Sequence, residues 1–420
     1  FEVPEGWAWC RLKHVCTMAA GKAKPTDQIM TEPFEGCYPC FGGNGIRGYV
    51  DEYNQDGIFS IVGRQGALCG NINIAKGKFY ATEHAVVTTL FSGIDFNWSN
   101  YVLEALQLNS YATGAAQPGL SVANVLNVFV PVPPTQEQVH IGIRIAESIK
   151  IIENIEDEKE NLQTLISSAK SKILDLAIRG KLVSQNPNDE PASVLLERIR
   201  AEKEELIKQG KIKRDKKESI IFKGEDNSYY LKTGDITEPL EDWELDGLPD
   251  SWSFCCLGEI CDYGNCINVA TVDIDDSAWI LDLEDIEKDT GIVLQKVRKA
   301  KRNSISTKHL FHKGQVLYSK LRPYLNKVVL ADEDGYCTSE ILPLDFQENI
   351  IPQYARYYLM SPTFLQYTNK CSYGVKMPRL GTVDGKKTII TLPPLAEQKR
   401  IVKAIETIFA QLDEISNAIA

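Results

Sequence analysis

The sequence has no run of eighteen apolar residues and no secretory signal pattern, so nothing in it directs the chain into or across a membrane. It also lacks a G-x-x-x-x-G-K-[ST] phosphate loop, a G-x-S-x-G nucleophile turn and an H-E-x-x-H metal motif, which argues against a nucleotide-driven or hydrolytic enzyme. Eleven cysteines, an odd number without an export signal, are typical of free thiols. These absences together predict a noncatalytic cytoplasmic chain.

Two short motifs that are present carry little weight. The G-x-G-x-x-G that begins at Gly43 fits the spacing of a dinucleotide site, but Tyr49 and Val50 follow where a helix would begin. Cys37 and Cys40 form a C-x-x-C without a second pair, which is weak support for zinc or redox chemistry. The sequence therefore predicts no metal site and no cofactor in this chain.

A long helical pattern lies near the middle of the sequence. After Pro134, apolar residues recur at intervals of three or four up to Leu176, which predicts a helix over 134–180. Thr135 and Gln138 have the spacing of a capping box, and Gly180 marks the end. At about 1.5 Å per residue such a helix is roughly 65 Å long. A rod of this length is suited to holding two domains at a fixed distance.

The second half of the chain repeats the first. A shift of 260 residues places the Pro-Pro-x-x-Glu-Gln that begins at Pro133 on the same pattern at Pro393, again followed by a helical apolar period. A shift of 245 residues places Val3-Pro4 through Trp7 on Leu248-Pro249 through Trp252. An internal repeat of this length indicates two copies of one architecture.

The repeat predicts an α+β fold with two strand-rich globular domains and long helices that pack as an antiparallel coiled coil. A chain of 420 residues is also too long for a single core. The predicted boundaries are a first globular domain at 1–133, a helix at 134–180, a charged helical connector at 181–247, a second globular domain at 248–393 and a helix at 394–420. Because the second helix is about half as long as the first and residue 1 is not Met, terminal residues are expected to be missing.

The first globular domain offers polar side chains beside glycines. Glycine allows the backbone to approach a ligand closely, while Arg, Gln and Asn can form paired hydrogen bonds with base edges. The alternative is that these are ordinary turns with solvated polar residues. The candidate nucleic-acid contacts of this domain are Lys22, Lys24, Asn44, Arg47, Arg64, Gln65 and Asn71.

The second globular domain segregates its charges along the sequence. Residues 273–289 carry eight acids and one lysine, whereas residues 296–327 carry ten Lys or Arg and no acid. Clustered cations with aromatic neighbours favour phosphate and groove contacts, although a strand pair with lysines on its wet face is the alternative. The candidate contacts of this domain are Arg298, Lys301, Arg302, Lys320, Arg322, Tyr324, Lys327, Lys376 and Arg379.

The order of these parts resembles the specificity subunit of Type I restriction-modification systems. The stretches that are similar to that family are 248–252 (Leu-Pro-Asp-Ser-Trp), 314–325, 373–380 and 392–398, together with Pro-Pro-x-x-Glu-Gln at both helix starts. The resemblance covers essentially the whole chain. It is the order and duplication of these motifs that make it specific.

The resemblance implies a DNA reader. Each globular domain would read one half of a split, asymmetric target, and the helices would set the unread gap and dock two methylation subunits and, for restriction, two restriction subunits. S-adenosylmethionine, ATP and Mg are then expected on those partners and not on this chain. The helix residues implied in spacing and docking are Glu137, Gln138, Ile141, Ile145, Ile149, Ile152, Leu162, Ile166, Ile173, Glu397, Gln398, Ile401, Ile405, Ile408 and Leu412.

Two other functions are compatible with parts of the sequence. A coiled-coil scaffold without specific DNA binding would suit the net charge of −11, but the acid-free basic stretch argues against it. A standalone DNA-modifying enzyme would need a cofactor motif that the sequence does not contain. Salt dependence distinguishes the first two, because a DNA reader loses affinity steeply as salt rises.

Overall fold

The structure is a computed structural model that describes all residues except 1, 67, 115–117, 213, 215–217, 227, 241–246, 303–304, 347–349 and 420. Most of the basic stretch at 211–217 and the end of the predicted connector therefore lie outside the described residues. The chain divides into two compact units, Phe1–Glu158 (unit 1) and Lys159–Ala420 (unit 2).

Unit 1 is built on one mixed sheet. Its strands are β1 (Ala8–Arg11), β2 (Cys16–Ala20), β3 (Tyr38–Gly42), β4 (Gly45–Val50), β5 (Gln55–Gly63), β6 (Ile72–Ala81), β7 (Ala85–Leu90) and β8 (Phe129–Val132). Its helices are α1 (Phe96–Ala105), α2 (Val122–Val125) and the first part of α3 (Thr135–Ile178). Six strands form a sheet in the order β2-β7-β5-β6-β3-β4, while β1 and β8 form a separate antiparallel pair.

Helix α1 packs on the six-stranded sheet. The buried Ser60 on β5 donates to Asn100 on α1 at 2.8 Å, and Trp98 is buried in the core of the unit. Asp95 accepts a hydrogen bond from the Trp98 backbone N–H and caps the start of this helix.

The described residues of unit 2 form four sheets and several helices. Its strands are β9 (Ser219–Lys223), β10 (Tyr229–Thr233), β11 (Ile236–Pro239), β12 (Ser253–Cys256), β13 (Asn268–Val269), β14 (Trp279–Leu281), β15 (Val297–Arg298), β16 (Lys308–Phe311), β17 (Val316–Ser319), β18 (Val328–Leu330), β19 (Gly335–Thr338), β20 (Ile341–Leu344) and β21 (Ile389–Leu392). Its helices, after the end of α3, are α4 (Ala192–Lys208), α5 (Leu257–Ile260), α6 (Pro352–Leu359), α7 (Pro362–Cys371), α8 (Thr382–Lys387) and α9 (Leu395–Ala418). The main sheet has the order β13-β16-β19-β14-β15, and β18-β17-β20 forms a second.

The connector differs from the helical connector that the sequence predicts. Helix α4 is followed by a three-stranded meander of β9, β10 and β11, which packs on β12 through Ile221 and Phe254. The buried Glu259 accepts from Arg200 on α4 at 2.7 Å, which ties the connector to the domain.

The repeat predicted from the sequence is visible in the strands that lead into the helices. In unit 1, β1 pairs with β8 just before α3 begins, and in unit 2, β12 pairs with β21 just before α9 begins. Within unit 2, α9 runs antiparallel to the end of α3. Thr391 donates to the Ile178 carbonyl at 2.7 Å, whereas Lys170 contacts Asp413, near the other end of α9. Gly180 ends α3 with a φ of +66°.

Candidate nucleic-acid interface

A cleft in unit 1 forms where the end of β5 meets the turn between β3 and β4. The absence of a side chain at Gly63 makes this possible, because a Cβ there would lie 2.0 Å from the Gly43 carbonyl oxygen. The open cleft has a volume of about 470 Å³. It is lined by Gly42, Gly43, Asn44, Arg47, Gln65, Gly66, Leu68 and His84.

Several predicted contacts of unit 1 come together here. Asn44, Arg47 and Gln65 line the cleft, and Asn71 donates to Asn44 at 2.8 Å on its exposed rim. Amide side chains with free donors and acceptors can pair with the N6 and N7 edge of adenine. His84 was missed by the sequence reasoning, although it directly precedes the apolar run of β7.

The two predicted lysines of unit 1 lie elsewhere. The Lys24 side chain is only 9% exposed and donates to Glu52 at 2.8 Å. This hydrogen bond raises the pKa of Lys24, and the ammonium also lies 5.5 Å from the Tyr80 ring centroid. The charge of Lys24 is therefore paired within the chain, and its role as a DNA contact stays a prediction. Lys22 is exposed and its backbone N–H donates to Ala81.

Beside the cleft, loop 64–66 is joined by backbone hydrogen bonds to residues 118–120. The backbone N–H of Leu120 donates to the Arg64 carbonyl at 2.9 Å, and that of Gly66 donates to Pro118 at 3.0 Å. Thr113 and Gly119 exchange two further backbone hydrogen bonds. The hairpin 113–119 is thus fastened to loop 64–66, and both Arg64 and Gln65 remain exposed there.

Unit 2 builds the same junction. The backbone N–H of Leu380 donates to the Lys320 carbonyl at 3.0 Å, and that of Arg322 donates to Pro378 at 2.7 Å. Tyr373 and Arg379 exchange the two hydrogen bonds that Thr113 and Gly119 exchange in unit 1. Loop 320–322 and hairpin 373–379 of unit 2 are therefore the structural counterparts of loop 64–66 and hairpin 113–119.

The predicted contacts of unit 2 partly converge on this junction. Arg322 has a φ of +49°, a conformation that a non-glycine residue rarely adopts and that the hydrogen bonds on either side hold in place. Tyr324 and Lys376 are exposed. Arg379 forms a pair with Glu340 at 2.8 Å, and this hydrogen bond lowers the pKa of Glu340. Loop 320–322 and hairpin 373–379 therefore present several cations on one surface.

Several other cations of the acid-free stretch are paired with acids from other parts of the fold. Arg302 is 10% exposed and contacts Asp282, Glu284 and the fully buried Asp285. Lys308, which is buried, lies 3.4 Å from Asp282. The acidic and basic segments of the sequence thus pair with each other in space. Arg302 as a DNA contact is wrong, because its guanidinium is needed to balance Asp285.

Three other predicted cations of unit 2 lie away from the junction or are already bonded to other groups of the chain. Lys327 donates to the Leu283 carbonyl at 2.7 Å, and burial lowers its pKa, so it does not present a free charge. Arg298, on the edge strand β15, pairs with Glu333 at 2.9 Å. Lys301 is exposed in the turn that follows β15.

The Glu-Gln pairs at the helix starts fasten each helix to its own domain. Gln138 is 1% exposed, accepts from the Asp95 N–H at 2.8 Å and donates to the Pro133 carbonyl at 2.9 Å. Thr135 donates instead to the Gly93 carbonyl, so the predicted capping box does not form. Trp7 donates its indole N–H to Glu137 at 3.0 Å.

The second copy repeats the glutamine and tryptophan contacts. Gln398 is fully buried, accepts from the Ile351 N–H at 2.9 Å and donates to the Pro393 carbonyl at 3.1 Å. Trp252 donates to Glu397 at 3.0 Å. Gln138, Glu397 and Gln398 are therefore removed from the docking set, because their polar atoms are used within the chain.

The predicted apolar positions of the helices divide into buried and exposed sets. Ile401 and Ile405 are fully buried in the core of unit 2, with Ile166 at 8% exposure, and Ile408, Leu412, Leu162 and Ile173 are partly buried. Ile141 and Ile145 are partly buried in unit 1. Ile149 and Ile152 are exposed, as is Ile155 one turn further on. We name these last three residues the α3 apolar stripe.

The described residues hold no group of three or more His, Cys, Asp or Glu side chains that could bind a metal ion. Among the same residues, no helix is both long and apolar enough to cross a membrane. All eleven cysteines are free.

Residues 4–164 and 249–420 match the family described as the Type I restriction modification DNA specificity domain. The chain is 46% identical over 132 residues to the Type I restriction enzyme EcoprrI specificity subunit of Escherichia coli, an alignment covering 31% of this chain and 33% of that protein. It is 21% identical over 428 residues to the EcoDI specificity subunit of the same species, covering 100% of this chain and 86% of that protein. The aligned part of the chain thus spans a third of the length of the EcoprrI subunit and most of the length of the EcoDI subunit.

Two solved structures have the same fold over the full chain. One comes from work on complex assembly and conformational transition of the type I R-M system, with a TM-score of 0.56, 16% identity and 94% of that chain covered. The other is the HsdS subunit from Thermoanaerobacter tengcongensis, with a TM-score of 0.50, 15% identity and 93% covered. The matches to both halves confirm the family resemblance and the pseudo-repeated fold, and the chain belongs to the family of the Type I restriction modification DNA specificity domain.

Proposed function

We propose that this chain is the noncatalytic DNA-recognition subunit of a Type I restriction-modification complex. Each globular domain reads one half of a split, asymmetric target. The observation that carries the proposal is the duplicated junction, in which loop 64–66 with hairpin 113–119 is repeated as loop 320–322 with hairpin 373–379. Two copies of one recognition surface in a single chain suit two half-sites on one duplex.

The two surfaces differ in chemistry, as an asymmetric target requires. The unit 1 cleft offers amides, Arg47 and His84, whereas the unit 2 junction offers Lys320, Arg322 and Lys376. Amides pair best with adenine and Arg with guanine. The two half-sites are therefore expected to differ in sequence.

The long helix α3 sets the unread gap in this proposal. Its 44 residues extend roughly 65 Å at about 1.5 Å per residue. The Gln138 and Gln398 contacts hold α3 and α9 in a fixed direction on their own domains. A helix anchored in this way transmits a change in its length to the spacing of the half-sites.

The α3 apolar stripe supplies a surface for two methylation subunits, which in turn recruit two restriction subunits. Exposed isoleucines at 149, 152 and 155 lie on neighbouring turns and gain free energy when a partner covers them. S-adenosylmethionine is expected on the methylation subunits, and ATP and Mg on the restriction subunits.

The test is to co-express the chain with its methylation subunit and to map methylated adenines across a genome. Insertion of seven helix-forming residues after Glu156 adds about 10 Å and turns the following residues by only about 20°. The expected result is a split motif whose unread gap lengthens by up to about three base pairs, at about 3.4 Å each.

The control is the same seven residues inserted in the exposed turn at Gly234, outside the helix. Methylation without sequence preference, despite a stable complex, would favour the coiled-coil scaffold. An unchanged gap with intact methylation would show that α3 does not set the spacing.

A further inference from the structure

Hairpin 373–379 in unit 2 is held rigidly at its base. Tyr373 and Arg379 exchange backbone hydrogen bonds of 3.1 and 2.9 Å. Pro378 and Leu380 join it to loop 320–322, as described above. Gly374 has a φ of +99°, which permits the tight turn. The hairpin is thus a fixed projection and its tip cannot fold back onto the domain without breaking these bonds.

The tip of this hairpin carries apolar side chains in open solvent. Val375 is 102% exposed, and Met377 is 46% exposed. Tyr373, at the base, is 62% exposed. Apolar side chains at the end of a projection gain free energy only when another molecule covers them.

The charges around the tip indicate what kind of molecule covers its apolar side chains. Lys376 lies between the two apolar residues, and Lys320 and Arg322 lie in the loop to which the hairpin is fastened. Of the two acids near the base of the hairpin, Glu340 is paired with Arg379, and Asp384 lies beside Gly381 at the end away from the tip. A partner must therefore combine negative charge with apolar surface, as duplex DNA does with its phosphates and base edges.

We propose that hairpin 373–379 enters the major groove of the half-site read by unit 2, where Val375 and Met377 contact base edges and discriminate thymine through its methyl group. This inference rests on the proposed function. A two-stranded ribbon fits a groove about 12 Å wide, and apolar side chains contact the thymine C5-methyl there. In unit 1, residues 115–117, between Thr113 and Gly119 in sequence, lie outside the described residues.

The test uses the full chain in complex with its methylation subunit. The variants are Val375→Ser and Met377→Ser, with Val194→Ser as a matched control on the exposed face of α4. Because Val375 is fully exposed, Val375→Ser is expected to unfold at the same temperature as the native chain. Binding is measured on duplexes in which each thymine of the unit 2 half-site is replaced in turn by deoxyuracil.

We expect Val375→Ser to bind the native site roughly fourfold more weakly for each thymine methyl group that the valine side chain covers. One thymine-to-deoxyuracil replacement should weaken the native complex by a similar factor and leave the variant unchanged. The methylation motif of the variant should become degenerate at that position only, with the unit 1 half-site intact.

If both variants bind with native affinity and keep the native methylation motif, while the native complex is sequence-specific, the inference about the hairpin is wrong and the proposed function stands. Equal sensitivity of native and variant complexes to every deoxyuracil would also overturn the inference. If the native complex itself shows no sequence preference, the proposed function fails and this inference fails with it.

Discussion

Gln398→Ala should destabilise unit 2 far more than a typical change on a helix surface. The side chain is fully buried, and both of its polar ends are used: the Ile351 N–H donates to it at 2.9 Å, and it donates to the Pro393 carbonyl at 3.1 Å. Ile351 directly precedes α6, so its N–H has no partner within that helix. Alanine leaves both backbone groups buried without a partner.

The expected cost follows from these two groups. A buried donor or acceptor left unsatisfied costs about 1–3 kcal/mol, so the pair should lower the free energy of unfolding by about 2–5 kcal/mol. Domains are stable by about 5–15 kcal/mol, so the variant should still fold. Gln138→Ala removes the equivalent contacts in unit 1 and should have a similar effect.

The assay is urea unfolding, with amide hydrogen exchange at Ile351 as a local readout. Gln411→Ala, an exposed position on the same helix, is the matched control and should change stability by less than about 0.5 kcal/mol. If Gln398→Ala costs no more than Gln411→Ala, or if Ile351 keeps its protection, the account of how α9 is fastened to its domain is wrong.

Four other substitutions test particular contacts. Gly63→Ala should lower the free energy of unfolding by about 1–3 kcal/mol and impair binding of the unit 1 half-site, because its Cβ would lie 2.0 Å from the Gly43 oxygen. Gly119→Ala, whose Cβ would have its nearest contact at 3.8 Å, is the control for stability. Equal unfolding midpoints for the two variants would contradict the predicted clash. Arg322→Ala should weaken DNA binding by about 1–3 kcal/mol, and an unchanged affinity in binding titrations would remove Arg322 from the site. Arg302→Ala should instead lower the free energy of unfolding by about 3–5 kcal/mol, because it leaves the buried Asp285 unpaired. Binding titrations and urea unfolding of both variants separate the two roles. Glu340→Gln should be less stable than the native chain at pH 7, because the hydrogen bond from Arg379 lowers the pKa of Glu340 in the folded state. The difference in free energy of unfolding should disappear as the pH falls through that lowered pKa, below the ordinary value of about 4.3. A difference in stability that persists at low pH would show another cause.

The sequence by itself determined the repeated architecture and the long helix. Apolar residues at intervals of three and four require a helix wherever one face is buried, and this local pattern predicted 134–180, where α3 spans Thr135–Ile178. The paired Pro-Pro-x-x-Glu-Gln motifs likewise identified two equivalent helix starts. Periodicity and repetition are properties of the chain alone, so they can be read without its contacts.

Only the tertiary structure decided which charges are available. No acid interrupts the cations of residues 296–327 in the sequence, yet in the fold Arg302 is balanced by Asp285. Lys24 is likewise balanced by Glu52. The loop that carries Arg322 is instead joined to the hairpin that carries Lys376 by the hydrogen bond from the Arg322 backbone N–H to the Pro378 carbonyl. The same is true of Gln138 and Gln398, for which the family resemblance implied a docking role. In the fold both side chains form hydrogen bonds within the chain. An ion pair or hydrogen bond depends on distances between segments far apart in sequence, and those distances exist only once the chain has folded.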